Sequence, residues 1–106
     1  KYFKKGSSIA IMIDQRVSEG EKIKFFNHDA YTTTIPAQFS KKYKCEIVPI
    51  YIERLNGTKF KIIINKPMKF KNEDSINKIT TDLNLWLESM VLKNPNQWIW
   101  THNRWK

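Results

Sequence analysis

The chain closes on Pro95-Asn96-Gln97-Trp98-Ile99-Trp100-Thr101-His102-Asn103-Arg104-Trp105-Lys106, a segment with three tryptophans, one histidine and two cations. Chain ends normally fray. Tryptophan carries a large apolar surface and one N–H donor, so it is seldom wasted on a loose end. Any fold for this chain must therefore give its last residues a surface to pack on.

The chain's 106 residues suit one domain or a piece of one. It opens on Lys1 rather than methionine, with a strand-like run close behind, and reads as a fragment or processed chain whose upstream part is missing. A domain of this size is marginal if its fold expects more strands. The formal net charge is +9, from 19 Lys+Arg against 10 Asp+Glu. Such an excess suits nucleic acid, phosphate groups, an acidic protein or an anionic membrane surface, and equally suits a lysine-rich composition serving solubility. Cys45 is the only cysteine, which excludes an internal disulfide and a cysteine-based metal site. It precedes a buried-looking strand and reads as a packed thiol. No apolar run approaches the roughly 18 residues of a spanning helix.

Ser8–Ile13 is a short apolar run ending at Asp14-Gln15, the pattern of a buried strand presenting polar groups at its end. A loop over Val17–Lys22 leads to Ile23–Phe26, a second short strand or an extended segment. Thr32-Thr33-Thr34-Ile35-Pro36 reads as a helix start, with a threonine oxygen as cap and proline in the first turn, and the helix runs to about Tyr43. Ile47–Ile52 is nearly continuous in apolar character, as a parallel strand covered on both faces would be. Pro49 inside it points to an edge, a bulge or a strand end. Asn56-Gly57 marks a hairpin. Beyond it, Phe60, Ile62 and Ile64 share one face of a strand, and Lys59, Lys61 and Asn65 the other. A helix capped by Asp74 or Ser75 reaches about Lys93, with Ile76, Ile79, Leu83, Trp86, Leu87, Met90 and Val91 in one stripe. Asn94-Pro95 ends it. The expected class is α/β, a mixed sheet with flanking helices.

These residues resemble the C-terminal part of the lipid A biosynthesis (lauroyl/myristoyl) acyltransferases, within the lysophospholipid acyltransferase group. Asp14-Gln15 resembles the family's Asp-Gln pair, and Phe25-Phe26-Asn27-His28-Asp29-Ala30 its Phe-Phe-Gly-x-Pro-Ala block. Thr32–Ala37 resembles Thr-Thr-x-Gly-Pro-Ala, and Ile47–Ile50 with Arg54 resembles its Val-Pro-Val strand and arginine. Asn84 and Glu88 match a helical Asn and Glu. Pro95, Gln97, Trp100, His102, Arg104 and Lys106 match the closing Pro-x-Gln-Tyr-x-Trp-x-His-Arg-Arg-Phe-Lys, the most specific block. Asn27 and Ile35 replace usual glycines, Asp29 a usual proline, and Asn103 an arginine.

The resemblance implies the C-terminal portion of a single glycerolipid-acyltransferase-like domain over residues 1–106. It implies transfer of a fatty acyl chain from an acyl carrier protein thioester to a hydroxyl of a lipid A precursor, with no cofactor besides that thioester. It places the protein on the cytoplasmic face of a bacterial inner membrane, with an anchor upstream. Such chemistry needs a base near the hydroxyl and donors for the thioester oxyanion. In this group the base is a histidine followed after four residues by Asp or Glu. Thr33 stands at that distance from His28, and the chain ends before His102 finds such a partner. No catalytic residue is expected in this segment, and it should be inactive alone.

The expected substrate-binding residues are Asp14, Gln15, Arg54, His102 and Arg104. Asp14 and Gln15 end a strand, where ligands of open α/β sheets gather. Arg54 suits a phosphate or carboxylate, or pairs with Glu53 or another acid. His102, flanked by aromatics, reads as a packed, hydrogen-bonded ring more readily than as a substrate contact. His28 reads as a loop histidine. No metal site is expected. Arg104 and Lys106, with Trp98, Trp100 and Trp105, suit a bilayer surface, and folding back onto the domain explains them equally. The competing readings are a small basic nucleic-acid- or anion-binding module, and an interaction domain without chemistry. Against nucleic acid, the lysines are dispersed and lie apart from the tryptophans. The expected partners are acyl carrier protein, a lipid A precursor and an anionic membrane surface.

Overall fold

A computed structural model describes residues 6–106. Strands β1 (Glu21–Phe25) and β2 (His28–Thr32) form one antiparallel hairpin; helix α1 (Ile35–Tyr43) follows. Strands β3 (Ile50–Arg54) and β4 (Phe60–Ile64) form a second, and helix α2 (Ile76–Lys93) runs into a short 3-10 helix, Pro95–Gln97. The α/β class holds, with the strands arranged among the described residues as two separate antiparallel pairs.

The first hairpin turns on Phe26 and Asn27, whose φ angles are 49° and 62°. Two central residues with positive φ between a Phe25–His28 pair make the mirror-image turn that matches strand twist. Asparagine tolerates this left-handed geometry, so Asn27 does the work of the glycine usual in the family block. Phe26 is held there by its backbone N–H, which donates to Glu88 Oε1 at 2.6 Å, and by an edge-on contact with Phe25. β2 was not expected, because no apolar alternation marks His28–Thr32. Its ladder is set by the turn and by a cross-strand ion pair, Lys24–Asp29 at 2.7 Å. Gly20 abuts this hairpin so closely that an added Cβ would lie 2.5 Å from the Thr32 carbonyl oxygen.

α1 begins as expected, with proline in its first turn, but no threonine hydroxyl caps it in the usual way. The Thr34 hydroxyl instead accepts from Gln38 Nε2 at 2.8 Å, and Thr33 Oγ1 accepts weakly from the Ile35 N–H. α2 follows its sequence pattern closely. Ser75 caps it, accepting from Lys78 N at 3.1 Å, and Ile79, Leu83, Leu87 and Val91 are buried. Two cores lie along this stripe. Phe25, Ala30, Leu87 and Val91 form one; Ala37, Ile79 and Leu83 form the other, and Ile13 packs on both.

Two strand expectations are corrected. Ser8–Ile13 is not a buried strand: it joins no ladder, and Ile9, Ile11 and Met12 are exposed. A strand needs a neighbour for its backbone groups, and none lies alongside it among the described residues. Ile47–Ile52 is not a parallel strand covered on both faces. Ile47 makes one isolated bridge to Met68, and β3 starts only at Ile50 and pairs antiparallel with β4. Pro49 sits just before the ladder, where its carbonyl accepts from Asn65 and no donor is missed. One face of this hairpin, carrying Ile50, Ile52, Phe60, Ile62 and Ile64, is open to solvent, each side chain at least 49% exposed.

Stability should track these environments. Leu83→Ala should cost about 2–5 kcal/mol in denaturant unfolding, whereas Ile62→Thr should stay within about 0.5 kcal/mol of the parent. A large loss for Ile62→Thr would mean the hairpin face is covered. Asp29's carboxyl is held below its usual 3.8 by hydrogen bonding and attraction from Lys24. A depressed carboxyl contributes stability above its unfolded-state value and loses it as pH falls through the folded value. Lys24→Met should return the Asp29 titration, followed by NMR, toward 3.8.

Candidate functional site

The closing residues fold back onto the first hairpin. Arg104 is fully buried. Its Nη2 donates to Thr32 Oγ1 at 2.8 Å, its Nη1 donates to the Tyr31 carbonyl, and its Nε has no partner. Burial pushes the guanidinium below its ordinary value, and the nearby Asp14 charge pulls it back up. It remains a cation, because arginine does not deprotonate in proteins.

The same Thr32 hydroxyl donates to the Ala30 carbonyl and accepts from Asn84 Nδ2 at 3.3 Å. Asn84, also fully buried, donates to the Lys24 carbonyl at 3.0 Å. One hydroxyl thus ties β2 to both α2 and the tail. Trp105 adds its indole N–H to the Phe25 carbonyl at 2.9 Å and stacks on the Phe25 ring at 5.6 Å. Trp98 packs against Phe25 in a tilted arrangement at 5.7 Å.

Gln97 secures the second hairpin. Its side-chain oxygen accepts from the Arg54 N–H at 2.9 Å, and its amide nitrogen donates to the Ile52 carbonyl. These are the unpaired backbone groups on the outer edge of β3, so one amide side chain does what an adjoining strand would do.

Of the five expected binding residues, Asp14 lies near enough to Arg104 for its charge to favour the guanidinium, with no ion pair between them. Gln15 is exposed beside Asp14. Arg54 lies apart: it donates to the Gly57 carbonyl at 3.0 Å and lies over the Phe60 ring at 4.6 Å, closing its own turn. It makes no ion pair with Glu53 or another acid. His102 is exposed, not packed; its backbone N–H closes a turn onto Ile99, and the buried position falls to Arg104 two residues on. His28 is likewise exposed, but in β2 rather than a loop.

Sequence reasoning placed Asn84, Glu88 and Gln97 in the family pattern without giving them roles. Their roles are to hold backbone groups of the two hairpins. A shallow cleft of about 420 Å³ lies against the tail, lined by Phe26, His28, Val91, Leu92, Pro95, Trp100 and Trp105. His28 is its one titratable lining residue, and the remaining surface suits hydrocarbon better than a polar ligand. Among the described residues no His, Cys, Asp or Glu cluster could hold a metal ion, and no helix is long and apolar enough to cross a membrane.

The family profile described as bacterial lipid A biosynthesis acyltransferase matches residues 1–106. The chain belongs to that family. Comparison with curated proteins finds no match. For this acyltransferase-family chain the match covers the docked tail and both hairpins, the same blocks on which the resemblance rested.

Removing the shared hydroxyl tests the junction. Thr32→Val keeps the shape but leaves Arg104 Nη2 and Asn84 short of an acceptor. It should cost about 1–3 kcal/mol in denaturant unfolding. A change of a few tenths would show that the tail is held by packing alone.

Proposed function

We propose that this chain is part of an enzyme that moves a fatty acyl chain from acyl carrier protein to a hydroxyl of a lipid A precursor, at the cytoplasmic face of the bacterial inner membrane. Acyl transfer of the lipid A biosynthesis type is the family's activity. The observation that supports the finer reading is the docked closing block. Gln97 and Arg104, singled out by the family pattern, are used to fix the tail against both hairpins.

In this reading the 106 residues are the frame and not the source of the base. Within these residues no histidine is followed by an acid at the His-x4-Asp/Glu spacing, Thr33 standing there after His28, and the pair is assigned to polypeptide outside them. The frame's contribution is positional. Arg104 fixes the tail to β2, the Asp14 charge lies near enough to favour its guanidinium, and Asp14 and the exposed Gln15 are left to face substrate. The apolar cleft along Val91, Leu92 and Trp100 offers a surface for hydrocarbon. The acyl carrier protein, which is acidic, and the anionic membrane surface would both meet a chain of formal charge +9.

The test is acyl transfer from acyl-carrier-protein thioesters of graded chain length to a lipid A precursor. The intact protein is expected to transfer the chain, and these 106 residues alone to show no turnover. Turnover by the short chain would overturn the placement of the base. Inactivity of the intact protein with every thioester would overturn the acyl-transfer reading itself.

A further inference from the structure

A second groove, of about 380 Å³, lies between the end of α1 and the segment before α2, sharing no residue with the tail cleft. Its rim carries Lys41, Lys44, Lys69 and Lys71, and among the described residues Glu46 is the one acid that lines it. Its floor is apolar: Met68 and Phe70 are half-buried and pack on the core of Ala37, Ile79 and Leu83.

The lysines are not spent on each other's neighbours. The ion pairs among the described residues are Lys24–Asp29 and Lys78–Asp82, so no rim lysine has a carboxylate within salt-bridge reach. Lys41 is fixed in place: its ammonium donates to the backbone carbonyls of Asn72, at 3.1 Å, and Asp74. Lys44 ends α1 in the left-handed conformation, with φ 50°, which directs the chain away from the helix at the groove's edge. Four like charges around one trough repel each other, and an anion seated between them relieves that repulsion.

We infer that this groove binds a phosphate-headed lipid, the phosphate among the lysine ammonium groups and the start of its apolar body on Met68 and Phe70. A bare anion would use the rim alone and leave the floor open. Nucleic acid would need successive stacking aromatics, and Phe70 is the one ring that lines the groove among the described residues. The inference does not depend on acyl transfer, and its test reads binding alone.

The experiment is titration of the isotopically labelled protein, by NMR, with dihexanoyl phosphatidate below its micelle concentration. Parallel titrations use inorganic phosphate, dihexanoyl phosphatidylcholine and a short single-stranded oligonucleotide. Phosphatidate should bind about tenfold or more tighter than phosphate or phosphatidylcholine, a margin of about 1.4 kcal/mol. Its shifts should centre on Lys44, Cys45, Lys69 and Phe70. The double variant Lys69→Gln/Lys71→Gln should lose most of that binding. Lys59→Gln/Lys61→Gln, outside the groove, should keep it. Equal binding of inorganic phosphate, tighter binding of the oligonucleotide, or unchanged affinity in the Lys69/Lys71 variant would each overturn the proposal.

Discussion

The buried contact between Arg104 and Thr32 is the constraint on which the rest of the structure depends. A guanidinium removed from water is costly unless hydrogen bonds and an opposite charge compensate it. Here the compensation comes from backbone and hydroxyl of β2 and from the charge of Asp14. Those groups are available only when the β1–β2 hairpin has formed and the tail has returned to it. Tail and hairpin therefore order together. Phe25 lies at the centre of this arrangement, fully buried, with Trp98, Trp105 and the Arg104 guanidinium around its ring.

α2 joins this junction to the second core. Its Asn84 and Glu88 bind the hairpin's backbone, while Ile79 and Leu83 pack on α1 and the segment carrying Met68 and Phe70. A single helix thus carries a polar clamp and an apolar stripe on adjoining faces. The β3–β4 hairpin stands apart from this scheme. It is tied to the tail through Gln97 at its edge, Pro49 and Asn65 bond to each other across its open end, and its apolar face is left uncovered.

How much of this the sequence disclosed follows from the kind of signal each element carries. α2 was legible because its stripe repeats over several turns and Ser75 and Asn94 mark its ends. The Asn56-Gly57 hairpin was legible because turn chemistry is local. β2 was hidden because its strand identity comes from a turn at Phe26-Asn27, and phenylalanine gives no warning of positive φ. Ser8–Ile13 and Ile47–Ile52 misled for a different reason. An apolar run reports that a segment suits burial, and is silent on which neighbour supplies the cover. Of the site, Asp14 and Arg104 were each expected among the binding residues, but neither their proximity nor the guanidinium's complete burial was. Nothing in a string of residues separates an arginine that meets a ligand from one that meets a carbonyl.

That distinction narrows where substrate contact can arise in this chain. Both polar atoms of the Gln97 amide are occupied by β3, and the Asn84 amide nitrogen by Lys24 and Thr32. Arg104 retains only an enclosed Nε. Such residues cannot turn to a ligand without releasing the fold. Motif residues with groups still facing outward include Gln15, Trp100, His102 and Lys106, with Asp14 half-buried near Arg104. A family pattern that mixes clamps with outward groups keeps the second kind meaningful only while the first holds. A loss of activity on replacing a clamp therefore speaks to the frame, and only replacement of an outward group speaks to the chemistry.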